Sequence, residues 1–523
     1  MASTILLKGG TLLIHNENDH VVPTKADLLI AGNIISCIAP EISDKGVGEV
    51  IDCTDKIVSP GFIDCHQHVW QTQLKGRHAD ETFLEYMPTG NLQSSHYTLS
   101  DFYWGQLGGC LELLNAGTTT VLDHAHLNTS PEASPTAISA TLTSGIRSIF
   151  AYTPINQVAS WEPTLTFSTS PDGSMLAPWV LETFNSLASR SPFGPGDGRV
   201  TLGLAFDGWF LPEEACRPLF AAARQHNIHL LTTHFVRNAS QADHSLPAHL
   251  QSWGLLPKNE ATATASSSSS SPHAFPSVVF SHSNGATADD IRIMKASGSH
   301  LASTPSTELQ MALGRPLAFS SSSSEVDAFP IACAGNDCHA AGAGSIAGEL
   351  RLGLQAARGE RNQRFLDAGR VPRRVWRSVE DAFNLGTVHG ARALALDGVA
   401  GRLREGCKAD VVVWAGTSPA MVCAAQEDPV AAIVLHSSPQ DVEAVVVDGV
   451  VRKRGGRLVD VVVEEDARGL VGKERVAWGD VAKELVKSRA ALKKKCEGTD
   501  FEAAKKVLMD AWYIDGSKIV DEV

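Results

Sequence analysis

The chain carries no run of eighteen apolar residues, about the least a helix needs to cross a bilayer, so no membrane partner is expected. Its first residues, MASTILLKGG, place no basic segment ahead of an apolar stretch and read as a strand rather than a secretion signal. A basic surplus is missing as well. Against 58 Asp and Glu stand 44 Lys and Arg, a net charge of −14, which argues against nucleic acid as a partner. The ten cysteines are scattered, with no CxxC pair. They read as small buried apolar groups in a reducing compartment, and the cytoplasm is the expected location.

What is present fills 523 residues, enough for two or three structural units. Short apolar runs broken by Gly, Asn or Asp occupy residues 1–58 and return over 399–465. Neither stretch is long enough for a core of its own, so the two are expected to pair into one small β-sandwich. Between them, over 59–398, strands alternate with helices, as in TTTVLD, IRSIFAY, VTLGLAF, IHLLTTHF, SVVFSHS and PIACAGND. That alternation, at that length, predicts a (β/α)8 barrel. Thr98 with Asp101 predicts a capped helix that Gly117 ends. Two serine-rich stretches, 261–272 and 320–324, read as mobile loops. Residues 466–523 read as a helical extension in which Phe501, Ala504, Leu508, Ala511 and Trp512 share a face, packed on the body or on a second subunit. A homodimer is the expected assembly.

The chemistry concentrates at strand ends. PGFIDCHQH runs an apolar strand into His66 and His68, which as i and i+2 project to one side of its C-terminal end. In α/β barrels that end is the catalytic one, and paired neutral imidazoles suit zinc and similar ions. His234, His282 and Asp337 close three later apolar strands in the same way. His229 opens its strand, lies at the opposite barrel face and reads as structural. His124 and His126 follow TTTVL near the mouth, and His126 is assigned to substrate. No lysine stands at a strand tip to bridge two ions, so a single divalent ion is expected, zinc or iron.

The order HxH, His, His, Asp, with VSPGFIDCHQH, NAGTTTVLD and GRLREGCKADVVVW, resembles the amidohydrolase superfamily, in its deaminase and triazine-chlorohydrolase branch. The resemblance runs from about residue 5 to about 455. It implies a barrel with a split β-sandwich and one metal ion on His66, His68, His234 and Asp337. It sets His282 beside the metal, against the reacting group or water. Asp337 is then the general base and His282 the group that polarises the electrophile. The implied activity is hydrolysis of carbon–nitrogen, but not peptide, bonds in a small ring-containing molecule. A lyase or decarboxylase on the same site, or a catalytically impaired binding protein, remains the alternative.

One position departs from that branch. Its deaminases carry HxxE after the strand-five histidine, where this chain reads His234-Phe235-Val236-Arg237. An arginine stays charged and shuttles no proton. Arg237 is therefore expected to anchor a carboxylate-bearing substrate, or else to meet a surface partner. Glu308, in STPSTELQMALG after the strand-six helix, is the candidate replacement acid or a helix-start carboxylate. Trp70, Arg77, Phe83, Tyr86 and Met87 lie in the insertion after the first barrel strand, which should roof the pocket and recognise a flat ring, or pack on itself.

Overall fold

The computed structural model describes residues 4–238, 244–257, 274–320 and 327–522. The serine-rich stretches lie outside the described residues, apart from Ser320.

Eight parallel strands run in sequence order: β1 (Phe62–His68), β2 (Thr118–Ala125), β3 (Arg147–Tyr152), β4 (Val200–Ala205), β5 (Leu230–Val236), β6 (Ser277–Asn284), β7 (His300–Ser303) and β8. The last is broken into Ala332–Ala334, which pairs with β7, and Asp337–Cys338, which pairs with β1. The break closes the barrel. It also sets Asp337 opposite Gln67, level with the two histidines of β1. Gly335 permits the approach, since a Cβ there would lie 2.8 Å from the backbone N and O of His66. β7 has no counterpart in the sequence reading. It is four residues long, begins with His300, and lacks the apolar run that marks its neighbours.

The helix after the first insertion spans Leu99–Asn115, opens with the Thr98–Asp101 capping box, and gives way to Gly117 at φ +89°. It packs on the outside of β2.

The two chain ends form one continuous nine-stranded sheet rather than two separate sheets. Val411–Trp414 pairs antiparallel with Ile57–Pro60, joining strands from residues 4–60 to strands from 411–458. The period of two sorts their side chains. Val58, Val411 and Val413 enter a cluster with Leu7, Leu28 and Ile30, while Ile57, Val412 and Trp414 face the barrel core. Each end supplies part of a shared core. Deleting residues 1–58 should therefore bare the apolar edge of Val411–Trp414 and give insoluble protein. Solubility and size after lysis check this, and a monomeric, cooperatively folding product would refute it.

Candidate metal centre

His66 and His68 stand on β1, His234 near the end of β5, His282 near the end of β6, and Asp337 on the second piece of β8. The barrel brings all five together. Asp337 Oδ1 lies 3.1 Å from His66 Nε2, 3.4 Å from His68 Nε2 and 3.6 Å from His282 Nε2. His234 Nε2 lies 3.3 Å from His68 Nε2. His282 and Asp337 hold φ of +68° and +70°. Non-glycine residues pay roughly 1–3 kcal/mol for that region, and such strain collects at functional sites.

Every imidazole is held from behind through Nδ1. The partners are Ser281 Oγ for His66 (2.8 Å), the His124 carbonyl for His68 (2.8 Å), Asp207 Oδ2 for His234 (2.8 Å) and Thr304 Oγ1 for His282 (2.9 Å). A carbonyl and a carboxylate only accept, so Nδ1 carries the proton in His68 and His234, and their Nε2 lone pairs face each other. At 3.3 Å two such nitrogens need a cation between them, a proton or a metal ion, and, in spite of burial, the Asp207 carboxylate raises the His234 pKa. A tetrahedral zinc site with Zn–N bonds of about 2.05 Å separates its ligand atoms by about 3.3 Å. The donor set thus fits a divalent ion in identity, tautomer and spacing. Outer partners of this kind fix ligand orientation in metal sites.

The electrostatics agree. Burial holds the His66 and His68 pKa values below the ordinary range, keeping both rings neutral, as ligands must be. Burial works against the charge on Asp337, but its contacts with the His66, His68 and His282 imidazoles outweigh it and hold the carboxyl well below its usual range. Thr307 Oγ1 donates to Asp337 Oδ2 at 2.8 Å, which leaves Oδ1 to the histidines.

Two acidic residues that the sequence reading passed over complete the frame. Asp207, just beyond β4, accepts from both the backbone N–H (2.9 Å) and Nδ1 of His234 and lies 3.1 Å from His124 Nε2. It stands at a strand tip as the ligands do, and the same rule would have found it. Asp64, two residues before His66 and on the same face of β1, accepts from the His66 N–H and from the N–H and Nδ2 of Asn336. It ties β1 to β8 across the break, and burial pushes its pKa up to about 7.

The residues assigned to substrate fall in three different settings. His126 lies against the His68 ring at 3.9 Å between centroids and accepts from Trp70 Nε1 through Nδ1 at 3.2 Å. Trp70 only donates, so the proton of His126 sits on Nε2, a buried atom with no partner among the described residues. Glu308 is fully buried in the short helix Pro305–Gln310, which follows β7 and not the strand-six helix. Its Oε1 accepts from the Thr304 N–H at 2.8 Å and lies 3.7 Å from His282 Nδ1, while Oε2 has no hydrogen-bond partner among the described residues. The helix-start reading holds, and contact with His282 is added to it.

Arg237 meets the second of its two expectations, a neighbouring partner: its Nη1 donates to Asp290 Oδ2 at 2.9 Å in an ion pair with a fully buried carboxylate. The same carboxylate closes the capping box of helix Ala288–Ser297 with Thr287. Arg237→Ala should accordingly destabilise the protein by about 3 kcal/mol, the cost of leaving a buried charge unpaired, with KM little changed. Denaturant melts and steady-state kinetics check this. A raised KM at unchanged stability would restore the anchor.

In the insertion, Trp70 packs with Tyr97 and Phe102 in the core, Tyr86 exchanges hydrogen bonds with Gln71, and Arg77 reaches Gln93. His229 is exposed at the opposite end of β5.

With this geometry in place, the comparisons define the class. The model of the Amidohydrolase family matches residues 57–452, well over half of the chain, and the chain belongs to that family. A 5-methylthioadenosine/S-adenosylhomocysteine deaminase of Carboxydothermus hydrogenoformans is 37% identical over 123 residues, covering 23% of this chain and 28% of that protein. A 5'-deoxyadenosine deaminase of Methanobrevibacter smithii is 23% identical over 478 residues, covering 88% of this chain and 95% of the relative. Among solved structures, atrazine chlorohydrolase from Arthrobacter aurescens TC1, complexed with zinc, superposes with a TM-score of 0.67 at 19% identity, covering 93% of this chain and 100% of the other. At that identity the likeness shows the fold.

Proposed function

We propose that this protein uses one metal ion to hydrolyse a carbon–nitrogen bond, other than a peptide bond, in a small ring-containing molecule. The observation that carries the reading is the ring of inward Nε2 atoms about Asp337 Oδ1, each imidazole tied outward through Nδ1. His66, His68, His234 and Asp337 would hold the ion, with His282 beside it. Zinc suits the donor set best, and iron is the other candidate. When bound, such an ion lowers the pKa of water from 15.7 to about 7. Asp337, ionised and fixed by Thr307, is placed to take the proton of the attacking water. His282, steadied by Thr304, polarises the electrophile. His126 supplies a buried N–H donor for the substrate. Glu308, fully buried and pushed up in pKa by that burial, is the acid on the Nδ1 side of His282, 3.7 Å away. Arg237 holds the helix beyond β6.

The relatives' names point to adenine nucleosides and to atrazine, all nitrogen-ring molecules. The ten cysteines are all unpaired, in keeping with a cytoplasmic location. No helix among the described residues is long and apolar enough to cross a membrane. The reading includes a homodimer, which sedimentation in solution decides. The test of the activity is a panel of 5'-deoxyadenosine, 5-methylthioadenosine and further amino-substituted nitrogen heterocycles, followed by ammonia release from the metal-loaded protein. Metal-dependent ammonia release supports the reading. Carbon dioxide released from carboxylated analogues, without ammonia or amine from any member, would favour lyase chemistry instead.

A further inference from the structure

The insertion that roofs the barrel begins one residue after the metal-centre histidine His68. It opens with the 3-10 helix Val69–Leu74 and continues through the helix Phe83–Thr89 and the turn Asn91–His96. From below, Tyr86 packs with Met311 and Leu313, just beyond the helix whose Thr307 bonds Asp337. From above, it is covered by two helices that lie outside the family match, Trp478–Lys495 and Phe501–Ala511.

The contacts from above are specific. A helix leaves its last carbonyls without partners of its own. At the end of Val69–Leu74 those carbonyls are taken by Arg489, whose Nη1 donates to Gln73 O at 2.7 Å and Lys75 O at 2.6 Å. Ser488 accepts from Gln73 Nε2 and donates to Asp101 Oδ1, tying the same helix to the base of the roof. Farther along, Ala504 and Leu508 are buried against Met87, Leu92 and Trp161, and the Trp512 ring stacks on Phe83 at 6.1 Å. The expected apolar face therefore packs on the roof through Ala504 and Leu508, while Ala511 is exposed. Of the five inward groups only His234 shows appreciable side-chain exposure, 29%. The other four are buried, with side-chain exposures of 0–6%.

We infer that the C-terminal helices are the outer layer of the active-site roof, and that Arg489 is a positioning residue that sets where the roof sits and hence how readily the metal centre is reached. The inference rests on the metal-centre reading for its meaning, but its geometry stands apart from it. Arg489 touches no metal-centre residue. It acts through Gln73 and Lys75 on a segment covalently continuous with His68.

The test compares the wild type with Arg489→Ala, Arg489→Lys and Trp512→Ala, all as full-length, metal-loaded protein. Amide exchange is followed over residues 69–97 and over the barrel strands, and metal loss to dipicolinate is timed. Arg489→Ala should raise exchange across 69–97 and speed metal loss by about tenfold, with strand exchange unchanged, as expected for a local opening. Arg489→Lys should recover part of this, because an ammonium still donates to carbonyls but lacks the planar fork. Trp512→Ala should loosen 83–89 alone. Unchanged exchange over 69–97 in Arg489→Ala would overturn the inference, as would a rise spread evenly over roof and barrel, which would mean that the helices only support the fold. If the protein holds no metal, the metal-centre reading fails, while the exchange arm still decides the role of Arg489.

Discussion

Asp337→Asn should fold, keep much of its metal and lose turnover by roughly 10²–10⁴-fold, the range for removing a general base. The amide preserves size and can still accept from Thr307, which now reaches Oδ2 at 2.8 Å. What it loses is basicity. Its contacts with the surrounding imidazoles keep the carboxylate ionised in spite of its burial, and an asparagine has no comparable lone pair for a proton. The loss should appear in kcat, with KM far less affected. Turnover within a few fold of wild type would remove Asp337 from the chemistry.

The second large effect is on metal content. His66→Ala and His68→Ala should each weaken metal binding by more than about 100-fold, beyond what is usual for loss of an outer partner. Both imidazoles are buried and neutral, and each offers Nε2 because Nδ1 is engaged elsewhere. Alanine removes a donor whose Nε2 is aimed at the centre. Asp207→Asn supplies the graded comparison. It leaves all inward nitrogens in place but disturbs the tautomer of His234, and should cost about 10–100-fold. If either histidine variant keeps a full complement of metal, the ligand assignment fails.

The inner half of the site was legible because its residues obey one rule. His66, His68, His234, His282 and Asp337 each end an apolar run, and in a parallel barrel such ends meet at one face. The outer half was not. Ser281, Thr304 and the His124 carbonyl are ordinary groups whose role comes only from the neighbour the fold gives them. Arg237 was left with two expectations for a related reason. Its distance from His234 in sequence suggested the mouth, but its partner Asp290 lies 53 residues on, where no local pattern could announce the pair. The pairing of the chain ends was legible from texture alone, since each end had strands and too little to cover them. The strand β7 was missed because a short central stretch, buried by its neighbours, needs no apolar run of its own.

The central question is whether one ion at this centre drives the reaction. The direct measurement is to strip the purified protein with a chelator, add zinc in steps, and follow the hydrolysis of any substrate that releases ammonia. Activity should vanish in the stripped protein, rise linearly and level off at about one zinc per chain, the stoichiometry of a single catalytic site. Activity that survives complete removal of metal, or that levels off only at two ions per chain, would contradict it.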